Sequence, residues 1–222
     1  MRLVRPRSIV ASLLVLAAAG CATPPPATPP VGEAAPAPAP SGWRAEASAA
    51  DQDRHDRLGE AWTRALDQAR RLPGSGDLTR VGELIAPDAA RPGVAPPPGA
   101  YRCRTVKLGS QSETAGEEAG LGYVVYGWFA CRIEQTPEGL RFIKLTGSQR
   151  PSGRLFADTD RRMILLGAMA LGGETTSPAY GQSAERDMLA VLERIGERRW
   201  RLVTPWPQAE STLDLIELVP AA

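Results

Sequence analysis

The sequence predicts an α+β fold, with an N-terminal helical segment packed on an antiparallel, eight-stranded meander β-barrel. A two-layer β-sandwich is the alternative. Three observations carry this expectation. Apolar residues recur every three or four positions up to Leu72, the period becomes two from Tyr101 onward, and no later connection has room for a crossover helix. With 43% hydrophobic residues in 222, the chain can fill one sizeable core, which excludes wholesale disorder. Bases and acids nearly cancel, at a net charge of +1, and this removes the electrostatic case for a nucleic-acid partner. Lys107 and Lys144 are the only lysines among 26 bases. Abundant Ala, Gly, Pro and Arg match GC-rich coding, so the arginine excess says little about chemistry.

Residues 1–20 read as a secretory signal peptide. Arg2, Arg5 and Arg7 precede a mostly apolar run over 9–19, too short for a bilayer, which needs about 20 apolar residues. Ala18-Ala19-Gly20-Cys21 resembles the bacterial lipobox, which implies cleavage before Cys21 and acylation of its thiol. The alternative is a non-lipidated signal followed by a chance cysteine. Ala22 in place of aspartate implies an outer-membrane lipoprotein facing the periplasm, where several acyl chains such as palmitate give stable anchoring. Cleavage takes 26 bases to 23 against 25 acids, about −2, so the lipid alone does the holding. Residues 21–42 form a Pro/Ala-rich tether of roughly 60 Å at about 3.1 Å per residue.

Residues 43–86 form the helical segment. Ser48 offers an N-cap with Asp51 three places on, and Leu58, Ala61, Trp62, Ala65, Leu66, Ala69 and Leu72 make one apolar stripe. Asp53, Arg57, Glu60, Arg64, Gln68 and Arg71 are expected on the solvated face, and His55 on the surface. Pro73-Gly74-Ser75-Gly76 stops this helix, and a short second one is expected over 78–85. Residues 87–100 read as a Pro-rich loop, and 101–222 as the β domain. Its strands are expected at 101–109, 121–136, 140–148, 154–159, 162–171, 186–195, 200–205 and 212–219, most of them separated by Gly, Pro or Asp turns. The sixth of these, 186–195, is ambiguous, because Met188, Leu189, Leu192 and Ile195 also suit a helix. Eight meandering strands close without exposed edges around a small lumen, and Phe142, Leu165 and Leu192 are candidates to fill it.

With Cys21 assigned to lipid, Cys103 and Cys131 have one possible pairing, and the compartment is oxidising. No CxxC spacing occurs and His55 is the only histidine, so a structural disulfide is expected and no metal site. Alternation on the second strand places Val125, Phe129, Cys131 and Ile133 on one face and Tyr126, Trp128 and Arg132 on the other. Arg102 and Arg104 flank Cys103 and project to that second side. Arginine beside Trp and Tyr stacks and still donates to an anion, which makes these five residues a candidate surface for an acidic or glycan ligand or a protein partner. The competing reading pairs the arginines with acids on the adjacent strand and packs the aromatics against the helix.

No HExxH, GxSxG, P-loop, SxxK or GxGxxG motif occurs, so no catalytic residue and no cofactor is assigned. Carboxylate pairs, Glu193 with Asp187 or Glu210 with Asp214, are the remaining acid–base equipment; a glycosidase needs such a pair about 5–9 Å apart.

Several blocks in order carry a resemblance: Gly99-Ala-Tyr-Arg-Cys-Arg104, Trp128-Phe-Ala-Cys-Arg132, Lys144-Leu-Thr-Gly-Ser-Gln-Arg150, Tyr180-Gly181, Glu185-Arg-Asp-Met188, Glu193-Arg-Ile-Gly196, Arg199-Trp-Arg-Leu202 and Glu217-Leu-Val-Pro220. Together, over about 43–221, they resemble a bacterial lipoprotein family of unknown function (DUF 4893). That resemblance implies a compartment but no activity. The expected function is a non-enzymatic binding or interaction module of the envelope, anchored to the membrane by its lipid and taking a small apolar or acidic ligand or an envelope protein. The alternatives are a barrel-type periplasmic protease inhibitor, by analogy of fold alone, and a carboxylate-dependent envelope hydrolase.

Overall fold

The computed structural model describes residues 42–112 and 120–221; the signal segment, Cys21 and nearly all of the tether lie outside them. Three helices come first: α1 (Trp43–Glu46), α2 (Ala49–Asp56) and α3 (Leu58–Arg71). A two-residue strand β1 (Gly74–Ser75) and a 3₁₀ segment, Leu78–Ile85, follow. The rest is β2 (Gly99–Leu108), β3 (Tyr123–Thr136), β4 (Gly139–Lys144), β5 (Gln149–Ala157), β6 (Arg162–Leu171), β7 (Asp187–Gly196), β8 (Arg199–Pro205) and β9 (Leu213–Pro220).

The sheet order is β1-β3-β2-β9-β8-β7-β6-β5-β4, and β4 pairs back onto β3. Strands β2 to β9 therefore close an antiparallel eight-stranded barrel, while β1 adds a short parallel pairing to the start of β3. Closure leaves the long strands without open edges. The barrel, not the sandwich, is the fold, and the segment that also suited a helix is strand β7.

The strands β6 to β9 are apolar on both faces because each face has its own core. One cluster fills the lumen, with Phe142, Leu165, Leu192, Leu202 and Leu218 at its centre. The second lies outside the barrel, where Ile164, Leu189, Val191, Val203 and Leu215 meet Trp62, Ala65, Val81 and Leu84 from the helical segment. Burying a side chain of this size contributes roughly 1.5–3 kcal/mol, so the helical segment is held chiefly by this outer face. Cys103 and Cys131 form a disulfide inside the lumen, with Cα atoms 5.8 Å apart.

Residues 86–98 stopper one end of the barrel. Val94 is buried in the lumen cluster, its carbonyl accepts the Trp200 indole N–H at 2.8 Å, and the Tyr101 hydroxyl donates to the Pro97 carbonyl at 2.8 Å. A fully buried arginine ties the 3₁₀ segment to the wall: Arg201 donates to the carbonyls of Glu83, Leu84, Ala86 and Pro87 and to the Glu193 carboxylate.

Several expectations are corrected. The single helix from Ser48 to Leu72 is two, broken at Arg57 (φ −93, ψ 18). The two parts dock differently: buried Asp51 of α2 accepts the Tyr180 hydroxyl, whereas α3 presents the apolar stripe. The N-cap at Ser48 forms as read, accepting from the Asp51 N–H. Gln68 is fully buried rather than solvated, because its amide answers backbone groups of the barrel: it donates to Ser110 O at 2.8 Å and accepts the Thr212 hydroxyl at 2.7 Å. His55 is half-buried against Trp43, ring centroids 4.6 Å apart. Val125 does not share a face with Phe129, Cys131 and Ile133. Arg104 pairs with Trp128 but Val106 with Val125, and this β-bulge turns Val125 out onto the helical cluster. Strand β5 starts at Gln149 instead of 154, running through Gly153, where a Cβ would meet the Leu166 carbonyl oxygen at 2.4 Å. Glycine there marks a close strand approach, not the turn it suggests in sequence.

Candidate functional site

Among the described residues the end opposite the stopper is open, and a cavity of about 270 Å³ enters the lumen there. Inward positions on successive strands order its walls by depth. Met188 and Ile216 belong both to the cavity and to the lumen core, so they form its floor. Thr105 lies opposite Ile216. One inward position nearer the mouth, Lys107 faces Asp214, and Asp214 faces Thr204 on the next strand.

This belt is polar. The Lys107 Nζ lies 2.9 Å from Asp214 Oδ2 and 3.1 Å from Glu210 Oε2, and the Ser211 hydroxyl donates to the other Asp214 oxygen. Burial pushes the Asp214 carboxyl up, against the opposing pull of Lys107 and Ser211. Burial also disfavours the Lys107 ammonium, but Asp214 and Glu210 outweigh it and hold its pKa above the usual lysine value. Thr105 and Thr204 line the cavity, and among the described residues their hydroxyls make no hydrogen bond. Thr204 is only 5% exposed.

A loop over 206–211 forms part of the rim. Trp206 and Glu210 are its non-glycine residues with positive φ, 48° and 72°, a conformation that costs L residues energy and persists only where surroundings enforce it. Here Gln208 donates to the Ala184 and Asp187 carbonyls, Arg57 stacks over the Trp206 ring at 4.8 Å, and Lys107 holds Glu210. Lys144 stands on the same end of the barrel. Its Nζ donates to the Thr146 and Gln149 carbonyls at 3.0 and 2.8 Å and sits 4.0 Å over the Phe129 ring. Burial, with Arg150 and Lys107 nearby, lowers its pKa to about 8.

Of the cavity's belt, sequence reasoning singled out only the Glu210–Asp214 pair; it assigned neither lysine, neither threonine and neither floor residue to the lumen. A signal was present: Lys107 lies four places after Cys103 and Lys144 two places after Phe142, so alternation alone puts both lysines of the chain inside the barrel.

The five surface residues lie on β2 and β3. Arg102 and Arg104 approach the Trp128 ring at 4.9 and 5.0 Å, and Trp128 stays 42% exposed. Arg104 is engaged at 2.5 Å by Glu217, which also takes Arg199. Arg132 pairs with Glu134 on the same strand, and Tyr126 is exposed within the bulged stretch. Of the three arginines, Arg104 meets an acid on the adjacent strand as the competing reading had it, whereas Trp128 and Tyr126 are not packed away. Arg102 and Trp128 remain as an exposed cation–π pair.

The two carboxylate pairs fare differently. Glu193 and Asp187 stand six residues apart on β7, about 20 Å along a strand, and Glu193 is held by Arg201 and Arg162. Glu210 and Asp214 are brought together: both touch the Lys107 Nζ, so the contacting oxygens are no more than 6.0 Å apart.

A family model described as a domain of unknown function (DUF4893) matches residues 43–218. No curated protein and no solved structure matches the chain.

Proposed function

The chain belongs to the DUF4893 family, and on that premise we propose that its barrel is a one-mouthed binding cup of the cell envelope, admitting a small, largely apolar guest through the open end. The observation that carries this is the cavity itself: a stoppered lumen with Met188 and Ile216 at its floor and a polar belt above them. Ligand sites are typically concave, mostly apolar and furnished with a few placed polar groups, usually at about 300–1,000 Å³. At about 270 Å³ this cup lies just below that range. Methionine in the floor adapts to irregular guests. Toluene is a suitable probe because it carries no hydrogen-bonding head. Saturable binding by titration calorimetry, abolished by Ile216→Trp with the circular dichroism unchanged, is the expected result; no binding by the wild type overturns the cup.

In the same proposal the cup is held at the outer membrane, facing the periplasm, by acyl groups on Cys21, with residues 21–42 as its tether. Labelled palmitate is expected in the wild type and absent from Cys21→Ala; equal labelling of both overturns the anchor.

One specific observation favours a second reading, a carboxylate-dependent envelope hydrolase. The contacting oxygens of Glu210 and Asp214 lie within 6.0 Å of each other, a bound that admits the roughly 5–5.5 Å of retaining glycosidases, and burial pushes the Asp214 pKa up. Against it, Lys107 occupies the space between them. Cleavage of peptidoglycan fragments that disappears in Glu210→Gln, with toluene binding kept, selects the hydrolase.

A further inference from the structure

We propose that the cup selects an uncharged amphiphile, with its tail on the Met188–Ile216 floor and a hydroxyl or carbonyl head at the belt of Thr204 and Lys107. This rests on the binding reading above and names the class of ligand within it.

The depth order fixes the direction of entry. The floor is apolar, and the hydrogen-bonding groups stand nearer the mouth, so a guest presents its tail first. The tail is short, because the cavity holds only about 270 Å³.

The state of the belt decides the head. Every carboxylate oxygen there already accepts a bond: Asp214 takes Lys107 and Ser211, and Glu210 takes Lys107 and Gln149. A cationic head meets carboxylate oxygens that each already accept a bond, two of them from the Lys107 ammonium beside which it would stand. An anionic head meets Asp214 and Glu210 beside the Lys107 ammonium, whose charge they already share. What remains open is the Thr204 hydroxyl, which lines the cavity and makes no hydrogen bond among the described residues, and the deeper Thr105 hydroxyl. The Lys107 ammonium also has three protons for its two carboxylates. A neutral head that both donates and accepts bonds to these groups without disturbing the ion pairs.

The test compares three probes with one tail: 1-octanol, octanoate and octylammonium, titrated into the mature protein at pH 7 by calorimetry. The expected order puts 1-octanol at least tenfold tighter than either ion. Thr204→Val, nearly isosteric, is expected to weaken 1-octanol about fivefold or more and leave toluene binding unchanged; Thr105→Val gives an independent second variant. Octanoate or octylammonium binding as tightly as 1-octanol overturns the proposal, as does an unchanged 1-octanol affinity in both valine variants. Failure of toluene to bind the wild type refutes the cup itself, whereas toluene binding with the wrong head order refutes only the head assignment.

Discussion

Replacing Glu193 tests whether the Arg201 cluster is a structural rivet. Arg201 is fully buried; two of its nitrogens reach one Glu193 oxygen at 2.8 and 2.7 Å, and the rest of the guanidinium serves four carbonyls at the end of the 3₁₀ segment. Removing one partner of a buried pair typically costs 3–5 kcal/mol, because the other charge stays behind. Glu193→Gln keeps an acceptor in place, so about 3 kcal/mol is expected. At roughly 2–4 °C per kcal/mol for a domain of this size, the thermal midpoint drops by about 6–12 °C. Arg162 also reaches Glu193, but its side chain is 41% exposed, and Arg162→Ala costs less than about 1 kcal/mol. Arg201→Met is more damaging than Glu193→Gln, because it strands the carbonyls of Glu83, Leu84, Ala86 and Pro87 as well. Buried ion pairs replaced as a pair by apolar residues often lose nothing; here the double change Glu193→Met with Arg201→Met is expected to stay below wild type, since methionine answers no carbonyl. Scanning calorimetry of the four variants is the assay. A double variant that regains the wild-type midpoint, or a Glu193→Gln midpoint within about 2 °C of it, refutes the rivet.

Reducing the Cys103–Cys131 bond, which closes a separation of 28 residues, is expected to remove about 3–4 kcal/mol by the chain-entropy model; denaturant midpoints with and without reductant measure it. Gln68→Leu takes the acceptor from the Ser110 N–H and leaves Ser110 O only its long bond from the Thr212 hydroxyl, for an expected loss of about 2–3 kcal/mol; a urea midpoint equal to wild type counts against that role. Lys144 gives a pH signature. Below pH 8 it is protonated whether folded or unfolded, but between about 8 and the ordinary 10.5 the unfolded chain binds more protons, so this group's contribution makes stability rise with pH. The stability of wild type relative to Lys144→Met is therefore expected to improve from pH 7.5 to 10. Because the chain has only two lysines, ¹³C-lysine NMR resolves them: one signal titrating near 8 and one above 10.5 are expected, and two near 10.5 contradict the burial.

Local chemistry is what the sequence by itself determined. The switch from a period of 3.6 to 2 located the helical segment and all eight long strands, because side-chain alternation is a property of consecutive residues. A single cysteine pair in strand segments likewise left one bond to form. The faces were harder. Gln68 looked solvated because polarity alone does not show that two barrel backbone groups wait for its amide. Val125 was assigned to the wrong side because a bulge is a mismatch between two strands, visible in neither one alone. Which barrel end is stoppered, and that Lys107, Asp214, Glu210 and Thr204 converge at the other, depend on register and closure. These arise from pairing residues far apart in the chain, such as Lys107 with Asp214, and only the tertiary structure decides them.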